Sequence, residues 1–186
     1  MPITDLELVS LVLQKDDKAF EKILERYKDK AFSLLVGILK NKSIAEDALQ
    51  DSFVKVYFAL STFKGESSFS TWIYSIVFNT GLTYAKRKNI FNKRHIAIED
   101  GFEIEDKKSK SDFFENEKSK LLIELINLLP EKFSSIIILF YMEELSLEEI
   151  SKISGLTISN IKILLHRGRI QLKKIADKHK LTIEDF

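Results

Sequence analysis

The chain has 186 residues, no cysteine, six glycines and two prolines, with 45% hydrophobic and 31% charged side chains. That is enough apolar material for one domain or two small ones, and it excludes wholesale disorder, disulfide scaffolds, thiolate zinc sites and a cysteine nucleophile. The net charge of +1 hides segregation: 61–95 and 157–180 are basic blocks, and 96–117 between them is acidic, which raises the odds of a polyanionic partner.

Helical periodicity dominates. A short first helix is predicted after Thr4, with Glu7 completing a capping box. Phe20, Ile23, Leu24, Tyr27, Ala31, Leu34, Leu35 and Ile38 then follow the i, i+3, i+4, i+7 rule of a long second helix. The third is expected from Ser43, boxed by Glu46, to Leu60, with Ala45, Leu49, Phe53, Val56 and Leu60 inward. Its opposite face carries Asp47, Gln50, Asp51, Val54 and Phe58, which suits either a partner helix or a wide core stripe edged by acids. After a turn at 62–68, a fourth helix is predicted from Ser67 to Lys88, with Phe69, Trp72, Ile73, Ile76, Val77 and Thr80 as its stripe. Periodicity fails over 91–115, which reads as a linker because so long a structureless stretch is unusual inside one domain.

A second helical module is expected over 116–186. One helix covers 121–129 and stops before Pro130, and another covers 131–142. Ser146 and Glu149 form a second capping box, Gly155 makes a tight turn, and a basic helix spans 159–178. The pattern is that of a helix–turn–helix, with Ile150, Leu156, Ile161 and Leu165 holding the pair together. Thr157, Ser159, Asn160 and Lys162 at the exposed start of the second helix, followed by His166, Arg167, Arg169, Lys173 and Lys174, would face DNA; the bland alternative is a helical hairpin with a basic solvent face. Aromatic residues and Asn79 ahead of the basic end of the fourth helix could stack on and read unpaired bases, although such stripes are usually core.

No metal spacing surrounds the three histidines, no phosphate-binding loop occurs, and the Ser-x-x-Lys pairs lack the rest of any catalytic set, so neither enzyme chemistry nor a cofactor is expected. The longest apolar run, Ile136 to Met142, is shorter than the ~20 residues of a membrane span, and MPITDLELVS has no secretory pattern. A cytoplasmic protein is expected.

Three segments in order, AEDALQDSFVKVYFAL (45–60), FKGESSFSTWIYSIVFNTGLTYAKRK (63–88) and LPEKFSSIIILFYMEELSLEEISKISGL with NIKILLHRGRIQL (129–172), resemble the ECF (extracytoplasmic-function) group of bacterial RNA polymerase sigma factors. The resemblance spans nearly the whole chain. It implies an all-α protein of two small helical modules joined by a flexible linker: 1–90 for core polymerase and promoter −10 binding, 91–115 as linker, and 116–186 as the helix–turn–helix for the −35 element. Its partners would be core RNA polymerase, through the β′ and β subunits, promoter DNA and an anti-sigma factor. Asp47, Gln50, Asp51, Val54 and Phe58 would dock on the β′ clamp, and 65–72 would form a loop capturing a flipped base. Ser67, Phe69, Trp72, Asn79, Tyr84, Lys86, Arg87 and Lys88 would serve the −10 element. The linker would thread toward the RNA exit path. The family's usual polar pair after the start of the reading helix is replaced by Ile163 and Leu164, so Ile163 is expected to meet a thymine methyl. A stand-alone helix–turn–helix regulator is the competing function.

Overall fold

The computed structural model describes the backbone of residues 3–95 and 117–178, and side chains over 3–87 and 121–178. Eight α-helices follow in order, with no strand among the described residues: α1 Asp5–Leu13, α2 Asp17–Leu39, α3 Lys42–Ala59, α4 Phe69–His95, α5 Glu117–Asn127, α6 Glu131–Ile137, α7 Leu147–Ser154 and α8 Ile158–Lys178. A 3₁₀ turn, Leu60–Thr62, closes α3, and a π-helical turn, Ile138–Met142, extends α6.

Local chemistry sets most ends. The Thr4–Glu7 and Ser146–Glu149 boxes are both formed, and Gly155 takes the left-handed conformation (φ +70°) that ends α7. The third helix differs from expectation. Asn41, not Ser43, caps it, its side chain accepting the Ile44 N–H at 2.9 Å, because a capable cap two residues earlier satisfies the free donors first. The fourth begins at Phe69 and runs on to His95, into the stretch read as linker; 96–116 lie outside the described residues.

α1 to α4 pack as one group and α5 to α8 as another, α8 crossing α6 closely at Gly168, where an added Cβ would lie 2.7 Å from Ile137 Cδ1. The two groups also meet. α2 lies on α6 and α4 on α7, and one apolar core runs from Leu8 to Leu165 through both. Periodicity assigned α2 a single inward stripe. Instead, its C-terminal stretch Ala31–Leu39 is buried at every position, because AFSLLVGIL is apolar all round and has neighbours on opposite sides. At the crossing, Gly37 faces Ile138 with no room for a Cβ (2.6 Å), and buried Ser134 donates its hydroxyl to the Gly37 carbonyl at 2.6 Å.

Candidate nucleic-acid interface

The strongest local element is the pair α7–α8. Of the expected contacts, Ile150, Ile161 and Leu165 are buried and Leu156 is half-buried against the core, and Ile153 is buried with them, which fixes the angle of the two helices. The Thr157 carbonyl accepts the Ile161 N–H at 3.0 Å and its hydroxyl the Asn160 N–H at 3.3 Å, so α8 starts cleanly. The expected reading residues Thr157, Ser159, Asn160, Lys162, Ile163, His166, Arg167 and Arg169 are all exposed. Ile163 is 48% exposed, whereas Leu164 turns inward and packs against the core. A helix with a buried apolar stripe and an exposed polar and basic opposite face presents its side chains as a groove reader must.

On α3, Asp47, Gln50 and Asp51 are exposed, and Val54 and Phe58 are 55% and 77% exposed. Val54 and Phe58 are therefore not part of a wide core stripe. Apolar side chains this bare beside carboxylates fit a partner surface. Phe58 also meets Tyr57 edge-to-face, their centroids 5.7 Å apart, and Tyr57 meets Phe20 at 5.0 Å, so aromatic contacts fix the end of that face.

The −10 set divides. Ser67 is half-buried, and Asn79, Lys86 and Arg87 are exposed; the Lys88 side chain lies outside the described residues. Asn79 spends its amide on the Ser75 carbonyl at 2.8 Å, leaving its oxygen outward. Trp72 is half-buried, stacked on Phe69 with centroids 5.7 Å apart and tilted against Phe63 at 5.5 Å. Phe69 needs correction: at 4% exposure, between Tyr27, Phe63 and Trp72, it supports the loop from beneath and offers DNA no face. Tyr84 donates its hydroxyl to Asp51 at 2.6 Å, and that bond pushes the phenol up to about 12, with burial and the neighbouring Asp51 and Asp47 charges adding to it. The basic end of α4 thus abuts the acidic face of α3, a link that no periodicity shows.

Sequence reasoning missed the polar contacts between the two groups of helices. Buried Tyr74 donates to the Glu143 carboxylate, which Lys30 approaches at 3.4 Å. Burial raises the Glu143 carboxyl, and the Tyr74 and Lys30 contacts oppose that only in part. Lys40 donates to Ser134 at 2.8 Å, and burial lowers its amine to about 8. Glu143 directly after a seven-residue apolar run was the available signal. No group of three or more His, Cys, Asp or Glu among the described residues could hold a metal, and no described helix is long and apolar enough to cross a membrane.

An exposed basic helix in a helix–turn–helix, tied to a second helical group with an exposed acidic and apolar face, has the features of a DNA-binding protein with a protein partner. Known families agree part by part. Residues 23–90 match Sigma-70 region 2, and residues 119–172 match Sigma-70, region 4. The chain is 31% identical to the ECF RNA polymerase sigma factor SigW of Bacillus subtilis over 175 residues, 89% of this chain and 93% of that protein. It is 32% identical to the ECF RNA polymerase sigma-E factor of Haemophilus influenzae, covering 90% and 92%. Its fold matches that of the sigma factor RpoE solved with the anti-sigma factor NepR from Bartonella quintana, with a TM-score of 0.67, 19% identity, and 86% and 98% of the two chains covered. The chain belongs to the ECF RNA polymerase sigma factors. It is an alternative sigma factor, a regulatory DNA-binding protein that binds core RNA polymerase and directs it to promoters.

Proposed function

We propose that α3 docks on the β′ clamp through Asp47, Gln50, Asp51, Val54 and Phe58, with β contacts elsewhere. Ser67, Trp72, Asn79, Tyr84 and the basic end of α4 take the opened −10 strand, and the exposed face of α8 reads the −35 duplex. The observation that carries this reading is the exposure of three chemically distinct faces on one chain, at the positions that match the two sigma regions. The protein performs no bond chemistry and acts in the cytoplasm. Modules 1–90 and 116–186 act at separate promoter elements, with 91–115 between them.

The two sites imply a change of shape. Elements at −35 and −10 lie about 25 base pairs apart, about 85 Å at the rise of a duplex. α4 and α7 here are within hydrogen-bonding distance, Thr71 to Glu149 at 2.8 Å. The packed arrangement is therefore the resting form, and promoter binding separates the modules. The Bartonella quintana protein was solved with an anti-sigma factor, and CnrH with the cytosolic domain of CnrY; an anti-sigma factor for this chain would hold the packed form.

Site-specific photocrosslinking tests the assignment. A benzoyl-phenylalanine at Phe58 is expected to label β′, and one at Ile163 the −35 duplex. Label from Phe58 on DNA, or from Ile163 on β′, would reverse it.

A further inference from the structure

The start of α4 carries a tight cluster of hydroxyls. Ser68 Oγ accepts the Thr71 N–H at 3.1 Å and lies 3.0 Å from Ser70 Oγ and 2.7 Å from Thr71 Oγ1. Beside it is the positive end of a 27-residue helix, a setting that favours an anion. An anion is already there. Glu149, from α7 of the other module, accepts from Thr71 Oγ1 at 2.8 Å and from Ser68 Oγ at 3.2 Å, both with Oε1. Its other oxygen closes the capping box, taking the Ser146 N–H at 2.9 Å and hydroxyl at 2.8 Å. Burial raises the Glu149 carboxyl, but the bonds from Ser146, Thr71 and Ser68 together outweigh it and leave the acid strengthened.

Given the −10 role proposed for the start of α4, we infer that Glu149 is an internal competitor for single-stranded promoter DNA: its carboxylate fills the Ser68–Thr71 hydroxyl cluster that a backbone phosphate of the strand takes once the modules part. Thr71 is 3% exposed in the packed form, so there its hydroxyl needs an acceptor. The carboxylate supplies one in the packed form and the phosphate in the open form. One residue thereby links the helix–turn–helix to the −10 loop, and the unbound chain is kept off stray single strands.

The test is fluorescence anisotropy with a labelled 12-nucleotide single-stranded DNA pool of random sequence, using the full chain alone and bound to core polymerase. Glu149→Gln removes the charge. Glu149→Asp keeps an acidic helix start but is one methylene too short to reach Ser68 and Thr71 while capping. Glu148→Gln, an exposed neighbour on the same helix, controls for net charge. The free Glu149→Gln and Glu149→Asp chains are expected to bind the pool about tenfold more tightly than wild type, the scale of one charged hydrogen-bond pair. Glu148→Gln should stay within about twofold. Adding Ser68→Ala to Glu149→Gln should abolish the gain. Bound to polymerase, wild type and Glu149→Asp should bind alike, because the modules are already apart. Equal binding by free wild type and Glu149→Asp, with both folded by thermal melt, overturns the inference while holoenzyme binding still stands. Polymerase-bound wild type with no affinity beyond that of core alone would instead overturn the −10 assignment beneath it.

Discussion

Reversing charge on α3 separates docking from stability, because its two acids sit differently. Asp47 is exposed, and its carboxylate acts on Tyr84 only through its charge. Asp51 is exposed but holds the Tyr84 hydroxyl at 2.6 Å. Asp47→Arg should therefore shift stability by less than ~0.5 kcal/mol, as exposed substitutions usually do. Asp51→Arg loses one charge-assisted hydrogen bond, discounted for solvent to about 1 kcal/mol. For a chain of this length that lowers Tm by about 2–4 °C. Both variants should bind core polymerase poorly, since like charges across an interface cost up to several kcal/mol, a loss of at least tenfold in affinity. Tyr84→Phe should reproduce the Tm loss of Asp51→Arg without the docking loss. The assay is a thermal melt of each variant beside a titration of core polymerase. A folded Asp47→Arg chain that binds polymerase as wild type does would refute the docking face. An Asp51→Arg chain as stable as Asp47→Arg would refute the part assigned to Tyr84.

Other consequences are as direct. Gly37→Ala puts a methyl 2.6 Å from Ile138 Cδ1, the tip of a fully buried side chain that must turn aside; a loss of about 1 kcal/mol is expected in urea unfolding. The Glu143 carboxyl is raised above 4.5 by burial, so the folded form holds its proton more tightly than the unfolded chain. Its contribution is then greatest below that value and is lost as pH rises through the raised one. Urea melts from pH 4 to 8 should show Glu143→Gln with a flatter profile than wild type over that window, and a steeper one would contradict the sign. Arg167→Ala should weaken binding to all −35 duplexes and lower the salt slope by about one. Asn160→Ala should change which −35 sequence is preferred, by about 1–3 kcal/mol at one base position; an unchanged preference would remove Asn160 from base reading.

The parts that sequence revealed are those whose physics is local. The Thr4–Glu7 and Ser146–Glu149 boxes, the positive φ at Gly155 and the exposed i, i+4, i+7 face of α3 each depend on residues a turn or two apart. Two capable caps, Asn41 and Ser43, lie within one turn, and composition cannot rank them. Phe69 sits in an aromatic stripe that serves core and stacking equally well, and only Tyr27 and Phe63 packed around it decide the matter. The contact between modules was out of reach for another reason. Thr71 with Glu149, Tyr74 with Glu143 and Lys40 with Ser134 pair residues 69 to 94 positions apart. Each is an ordinary polar residue until its partner is in place. The all-round apolar stretch of α2 was the one visible sign that this helix has neighbours on both sides.

Transcription from a promoter library by core polymerase, with and without this chain, tests the central claim most directly. A sigma factor yields transcripts from a set of promoters sharing −35 and −10 sequences only when the chain is present, and Asp47→Arg diminishes that whole set together. Tight binding of the chain alone to one duplex, with no transcript gained on adding it to polymerase, would contradict the claim and leave a stand-alone helix–turn–helix regulator.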